Sequence, residues 1–382
     1  MTEPTRTLAI LDQLVAFPTV SHDSNLALID WVENLLKDAG FSVTRIWSLD
    51  EKKAGLFAQI GPKMAGGICL SAHTDVVPVE GQYWTRPHFQ MIRDDARIYG
   101  RGTTDMKGFL ASALAMAETA GRTKLTAPLS LVISYDEEVG CAGIQQMMPE
   151  LKKLLTQPRA VIVGEPTLMQ VATGHKGKTA LKVSCHGQSG HSALAPDYIN
   201  AIHVAASFVQ AMRRIQDRLA AGPQDNAFTV PYSTIHVGKI NGGHALNIVP
   251  DLVELEVEYR HLTQTPSAEI QAMIEKAARE VEAAFGPVAK ITIAAANSYP
   301  GLETPQEDPV VTWAQTLVPD RTLTKVSFGT EAGFFAELGL PVIVMGPGDM
   351  ARDGHKPDEG LDLSQLDACD RMMKNVLQEL TQ

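Results

Sequence analysis

Four residues of metal-ligand type fall at or just past the ends of apolar runs, and a fifth lies among glycines. His73 closes 68-ICLSAH-73, Glu138 closes 131-LVISYDEE-138, Glu165 closes 161-VIVGE-165, and His355 follows 342-VIVMGPG-348. The fifth, Asp105, lies in the glycine-flanked stretch 99-YGRGTTDMKG-108. Two imidazoles and three carboxylates suit a pair of zinc-like divalent cations that share one carboxylate, and Asp105 is the residue expected to bridge. Two divalent cations against three carboxylates leave one positive charge, which a single hydroxide neutralises. That balance suits a partly buried centre. The chemistry such a centre supports is hydrolysis.

Neighbours of these residues extend the set. In an extended strand, residues two apart share a face, so Asp75 in 73-HTD-75 can lie beside the His73 ring and orient it. The adjacent pair 137-EE-138 cannot aim both carboxylates one way, so one is expected to bind metal and the other to take a proton from water. Glu165 precedes Pro166, which holds it in an extended or turn conformation. His191, in 187-GQSGHSA-193, sits among glycines and small residues that admit a ligand closely. Each of these residues taken singly is common on a protein surface; together and in this order they point to a site.

The elements that must position them follow from the apolar pattern. Residues 4–17 and 25–39 have helical spacing, 41–47 and 55–61 are short β-type stretches, and 68–73, 129–135 and 160–165 are runs buried on both faces. With an alanine-rich helix at 109–120 and another at 143–155, the alternation predicts a doubly wound α/β sheet. Such sheets place ligands at the carboxyl ends of their strands, where the candidates sit. Beyond Gly174 the pattern changes: 178–187 and 250–260 alternate apolar and polar residues, with helical stretches near 198–220 and 267–285. These predict an α+β insertion with one wet sheet face. The expected organisation is a discontinuous α/β domain, 1–176 plus 294–382, interrupted by an inserted domain at 177–293.

Composition bounds the rest. With 382 residues, two domains are the natural expectation, and 45% apolar with 20% charged residues is the balance of a globular protein. A net charge of −11 argues against nonspecific nucleic-acid binding. Cys69, Cys141, Cys185 and Cys369 form no CxxC pair, the N-terminal stretch lacks the pattern of a signal peptide, and no apolar run approaches a membrane span. A cytoplasmic protein with no membrane partner is expected.

The segments 70-LSAHTDVVP-78, 100-GRGTTDMKG-108, 136-DEEVG-140, 163-VGEPT-167 and 187-GQSGHSA-193 resemble the zinc-dependent M20 aminoacylase and carboxypeptidase family along nearly the whole chain. The resemblance implies His73, Asp105 and Glu165 on one Zn2+ and Asp105, Glu138 and His355 on the other, with Co2+ or Mn2+ as substitutes. It makes Asp75 the partner of His73 and Glu137 the general base. It also implies a ferredoxin-like lid that serves as the dimerisation domain, with His191 reaching the active site of the partner subunit. Asn247 in 246-LNIVP-250 and Arg260 in 257-VEYR-260 match substrate-binding positions, and a cis peptide is implied at Asp105–Met106. Within the family, 330-TEAG-333 and 353-DGHKPDE-359 look most like the branch that deacetylates N2-acetyl-L-ornithine in arginine biosynthesis. Glu331 would then meet the substrate's side-chain amine. The alternatives are a succinyl-diaminopimelate desuccinylase, another N-acyl amino acid hydrolase or dipeptidase, and a metal-binding scaffold without activity.

Overall fold

The computed structural model describes residues 5–381. Among them is a nine-stranded mixed sheet. Its strands run in the order Ser42–Trp47, Ala54–Ile60, Leu129–Ser134, Ile68–His73, Ala160–Val163, Val342–Val344, Val171–His175 and Leu302–Glu303, and Leu323–Val326 pairs with Val171–His175. The four central strands, Leu129–Ser134, Ile68–His73, Ala160–Val163 and Val342–Val344, are parallel. Every residue in these four strands is buried, as their unbroken apolar runs predict. Apolar residues of Gly108–Ala120 and of Leu363–Glu379 pack into the same core cluster as these strands. Gly108–Ala120 is apolar nearly all round and carries ten buried residues, so it contributes core rather than surface.

The chain divides into two compact units: Met1–Gly174 with Leu302–Val326 and Thr330–Gln382, and His175–Gly301 with Ser327–Gly329. The second unit has its own four-stranded antiparallel sheet, ordered Thr234–Gly242, Leu252–His261, Gly177–His186, Lys290–Tyr299. With helices Ala201–Ala220 and Ser267–Phe285 in the chain order βαββαβ, this is the ferredoxin-like arrangement. Val253, Leu255, Val257 and Tyr259 face its core, while Leu252, Glu254 and Glu256 are exposed. The expected boundary between residues 293 and 294 falls inside the strand Lys290–Tyr299. That strand's pairing with Gly177–His186 carries the second unit on to Gly301.

Candidate active site and metal centre

Strand register brings the candidates together. His73 pairs with Ser134 and Ser71 with Val163, so His73, the segment 136–138 and Glu165 leave adjacent parallel strands at the same level. Asp105 arrives from a tight turn, Thr103–Lys107, entered through Gly102 at φ 86° and containing a cis peptide at Asp105–Met106. Gly164 is required by packing. A Cβ there would lie 2.0 Å from the Phe109 ring, so the chain can reach Glu165 over the helix only without a side chain.

The two oxygens of Asp105 face different histidines. His73 Nε2 is 3.1 Å from Oδ1 and His355 Nε2 is 3.2 Å from Oδ2. His73 Nε2 is also 3.7 Å from Glu165 Oε1, and His355 Nε2 is 2.9 Å from Glu138 Oε2. Ligand-type atoms of His73, Glu137 and Glu165 lie within 4.8 Å of one another, as do those of His73, Asp105 and Glu138. The His73 ring is fixed from behind: Nδ1 is 3.0 Å from the backbone carbonyl of Asp75 and 3.5 Å from its Oδ1. A proton held on Nδ1 leaves Nε2 as the free ligand nitrogen.

The residues fit divalent cations. Glu165 is 2% exposed, yet its Oε1 has no hydrogen-bond partner. Burial pushes Glu165 and Glu137 well above the usual carboxylate range and Glu138 up to about 7, with neighbouring carboxylates adding to each rise. Asp105 goes the other way: burial opposes ionisation, but hydrogen bonds from His355 and His73 hold it well below its ordinary value. Burial lowers His73, yet its bonds to Asp105 and Asp75 carry it well above a free imidazole. Carboxylates crowded into a closed interior hold protons unless cations take their place.

Residues 69–379 match the family described as peptidase family M20/M25/M40. The chain belongs to that family. Acetylornithine deacetylase of Proteus mirabilis (strain HI4320) is 31% identical over 375 residues, covering 96% of this chain and 94% of that protein. Acetylornithine deacetylase of Myxococcus xanthus is 33% identical, covering 97% and 96%. Among solved structures, an M20 family metallo-carboxypeptidase from Sulfolobus solfataricus superposes with a TM-score of 0.79 at 16% identity, covering 100% and 99%. These findings make the chain an M20 hydrolase with the family's α/β fold.

In this M20 chain the carboxylate of Asp75 has a wider part than orienting His73. Its Oδ1 accepts the N–H of Glu137 at 3.0 Å, and Oδ2 accepts the N–H of Glu138 at 3.2 Å and the Ser21 hydroxyl at 2.7 Å. One carboxylate thus fixes the backbone of both glutamates. Glu331 is enclosed in the same unit. It is 1% exposed, 3.4 Å from the Ser71 hydroxyl, and burial pushes its pKa up to about 7 against hydrogen bonds from Ser134 and Ser71. This carboxylate lies beside strand Ile68–His73 and is as enclosed as His73 and Glu165.

His191, Asn247 and Arg260 belong to the second unit. His191 is exposed on the short strand Gly190–His191, and its Nδ1 accepts the Ala193 N–H at 3.1 Å, which leaves Nε2 to carry the proton. Asn247 is exposed, with its carbonyl accepting from Ser192. Arg260 is half-buried and donates to Glu258 at 2.9 Å. Sequence reasoning missed three buried residues around Asp105. Lys107 is fully enclosed and donates to the carbonyls of Leu14 and Phe17 at 3.0 and 2.8 Å; burial lowers its pKa to about 7 against the charges of Glu359 and Asp75. Arg101 and Glu359 form an ion pair at 2.9 Å, each side chain 1% exposed. The acid four residues beyond His355 in 352-RDGHKPDE-359 was the available signal.

Proposed function

We propose that this M20 hydrolase removes the acetyl group from N2-acetyl-L-ornithine, using two zinc ions, in a cytoplasmic homodimer that serves arginine biosynthesis. The observation that carries the hydrolytic reading is the division of Asp105 between His73 and His355, an arrangement that two adjacent cations would share. His73, Asp105 and Glu165 would hold one cation, and Asp105, Glu138 and His355 the other. When bound, the cations would polarise the acyl carbonyl and acidify a water molecule. The full-length likeness to the deacetylases of Proteus mirabilis and Myxococcus xanthus supports the substrate. Four unpaired buried cysteines fit a reducing compartment. Exposed Ile240, Leu246, Ile248 and Leu252 on the second unit support its use as the dimer face.

The chain's own groups then divide the work. Glu137, its backbone held by Asp75, takes the proton from the attacking water on its carboxylate. Burial, with neighbouring Glu138 and Asp105, raises the Glu137 carboxyl above its ordinary value, which favours its holding the proton it must return. Attack at the acyl carbon forms the C–O bond, and Glu137 then passes the proton to the amine nitrogen as the C–N bond breaks. Acetate and ornithine leave. His191, with its proton on Nε2, would donate to the carbonyl oxygen, and Arg260 would bind the α-carboxylate through its guanidinium.

Glu137→Gln tests the base. The variant should keep its zinc content and its substrate affinity while kcat falls at least about a thousandfold, within the scale of general-base catalysis. Near-normal turnover with two bound zinc ions would refute the assignment.

A further inference from the structure

All three ligands read for the second cation, Asp105, Glu138 and His355, lie in loops or turns rather than in strands, and the loop that carries His355 is held in a costly conformation. His355 has φ 59° and Asp358 φ 54°, the left-handed region that residues with a Cβ rarely adopt. A single buried carboxylate ties these loops together. Glu359 Oε1 accepts the N–H of Asp105 at 3.1 Å and of Thr104 at 2.9 Å, and Oε2 accepts the N–H of Gly102 at 3.0 Å. Its own carbonyl accepts the N–H of Gly100 at 2.9 Å. The Asp105 turn is therefore wrapped around Glu359.

The charge of Glu359 is met by Arg101, and Arg101 carries the connection back to the histidine loop. Its guanidinium donates to Glu359, to the Lys356 carbonyl at 3.2 Å and to Gln82 Oε1. Gln82 in turn donates to the carbonyl of His355 at 2.8 Å and accepts from the Trp84 indole at 3.1 Å. Asp358 fixes the other side of the loop by accepting the N–H groups of Thr85 and Arg86. A buried pair of this kind adds little net stability for its desolvation. What it supplies is geometry, since charge-assisted bonds to several backbone N–H groups hold a loop in one conformation.

We propose that Glu359 is the positioning residue of the second cation site, holding Asp105 directly and His355 through Arg101 and Gln82. The proposal rests on the two-cation reading given above. Groups behind metal ligands change affinity by about 10–100-fold when removed. Glu359 supports two of three ligands at the second site and only Asp105 at the first. Its loss should therefore weaken the second equivalent more than the first. A residue that merely stabilised the fold would weaken both alike.

The test is Zn2+ titration of chelator-stripped protein against a chromophoric competitor, with melting temperature followed alongside. Wild type should bind two equivalents. Glu359→Gln should bind the first within about threefold of wild type and the second about 10–100-fold more weakly. Equal affinities for both equivalents in wild type and variant would overturn the proposal with the two-cation reading intact. Fewer than two equivalents in wild type would overturn both. Should Glu359→Gln fail to fold, Gln82→Leu at the half-buried end of the network decides. A weakened second equivalent there supports the clamp, and unchanged binding overturns it.

Discussion

Glu331→Gln in metal-free protein should stabilise the fold at alkaline pH and leave it unchanged in acid. The Glu331 carboxyl ionises at its ordinary 4.5 in the unfolded chain, whereas burial raises it to about 7 in the fold. Above about pH 7 the folded protein holds a buried charge that the unfolded chain leaves in water. Below about pH 4.5 both states are protonated and the cost vanishes. Stability is thus fully present in acid and declines as pH rises through that window, because the folded state binds more protons. Ionisation moved from 4.5 up to about 7 corresponds to about 3 kcal/mol. If all 382 residues unfold together, an unfolding entropy of ~2.1 cal/mol/K per residue converts this to about 4 °C. The assay is thermal unfolding of wild type and variant, chelator present, at pH 5 and pH 8. A variant that melts higher by about 4 °C at pH 8 and by less than about 1 °C at pH 5 agrees. Equal shifts at both values, or a lower melting point at pH 8, would show that Glu331 is not a desolvated carboxylate.

Asp75→Asn keeps one acceptor oxygen but turns an NH2 toward N–H donors of Glu137 or Glu138. The loss of a charge-assisted bond, about 1.5–3 kcal/mol, should lower kcat about 10–100-fold with little change in KM, as steady-state kinetics would show. Gly164→Ala places a Cβ 2.0 Å from the Phe109 ring and should cost about 1–3 kcal/mol in denaturant unfolding. Adding Phe109→Leu should restore part of that loss, and no restoration would mean the strain lies elsewhere. If His191 acts in the partner's site, His191→Ala and Glu137→Gln should each be inactive alone. Mixed by unfolding and refolding together, they should regain about a quarter of wild-type activity through half-repaired heterodimers.

The α/β sheet was legible because its central strands are largely apolar runs, and three of the five ligand candidates close such runs. His73, Glu138 and Glu165 follow directly from that pattern, and strand register then brings them together. Thr234–Gly242 and Lys290–Tyr299 were not legible as strands: the first is mostly exposed and rich in glycine, and the second exposes Ala294, Ala295 and Ala296. Arg101 and Glu359 were hidden for a different reason. Charged residues in loops read as surface, and only the fold reveals a guanidinium and a carboxylate meeting 258 residues apart in the interior. The burial of Glu331 was hidden because a glutamate at a helix start suits solvent, whereas its hydroxyl partner Ser71 lies on a strand 260 residues away.

The most direct test of the account is kcat/KM of the zinc-loaded protein on N2-acetyl-L-ornithine beside N-succinyl-L,L-diaminopimelate. A preference of about a hundredfold or more for acetylornithine, close to 3 kcal/mol of transition-state discrimination, is the result the account predicts. A reversed preference would keep the cation ligands and the base but contradict the substrate, and no hydrolysis of either amide would contradict the deacetylase itself.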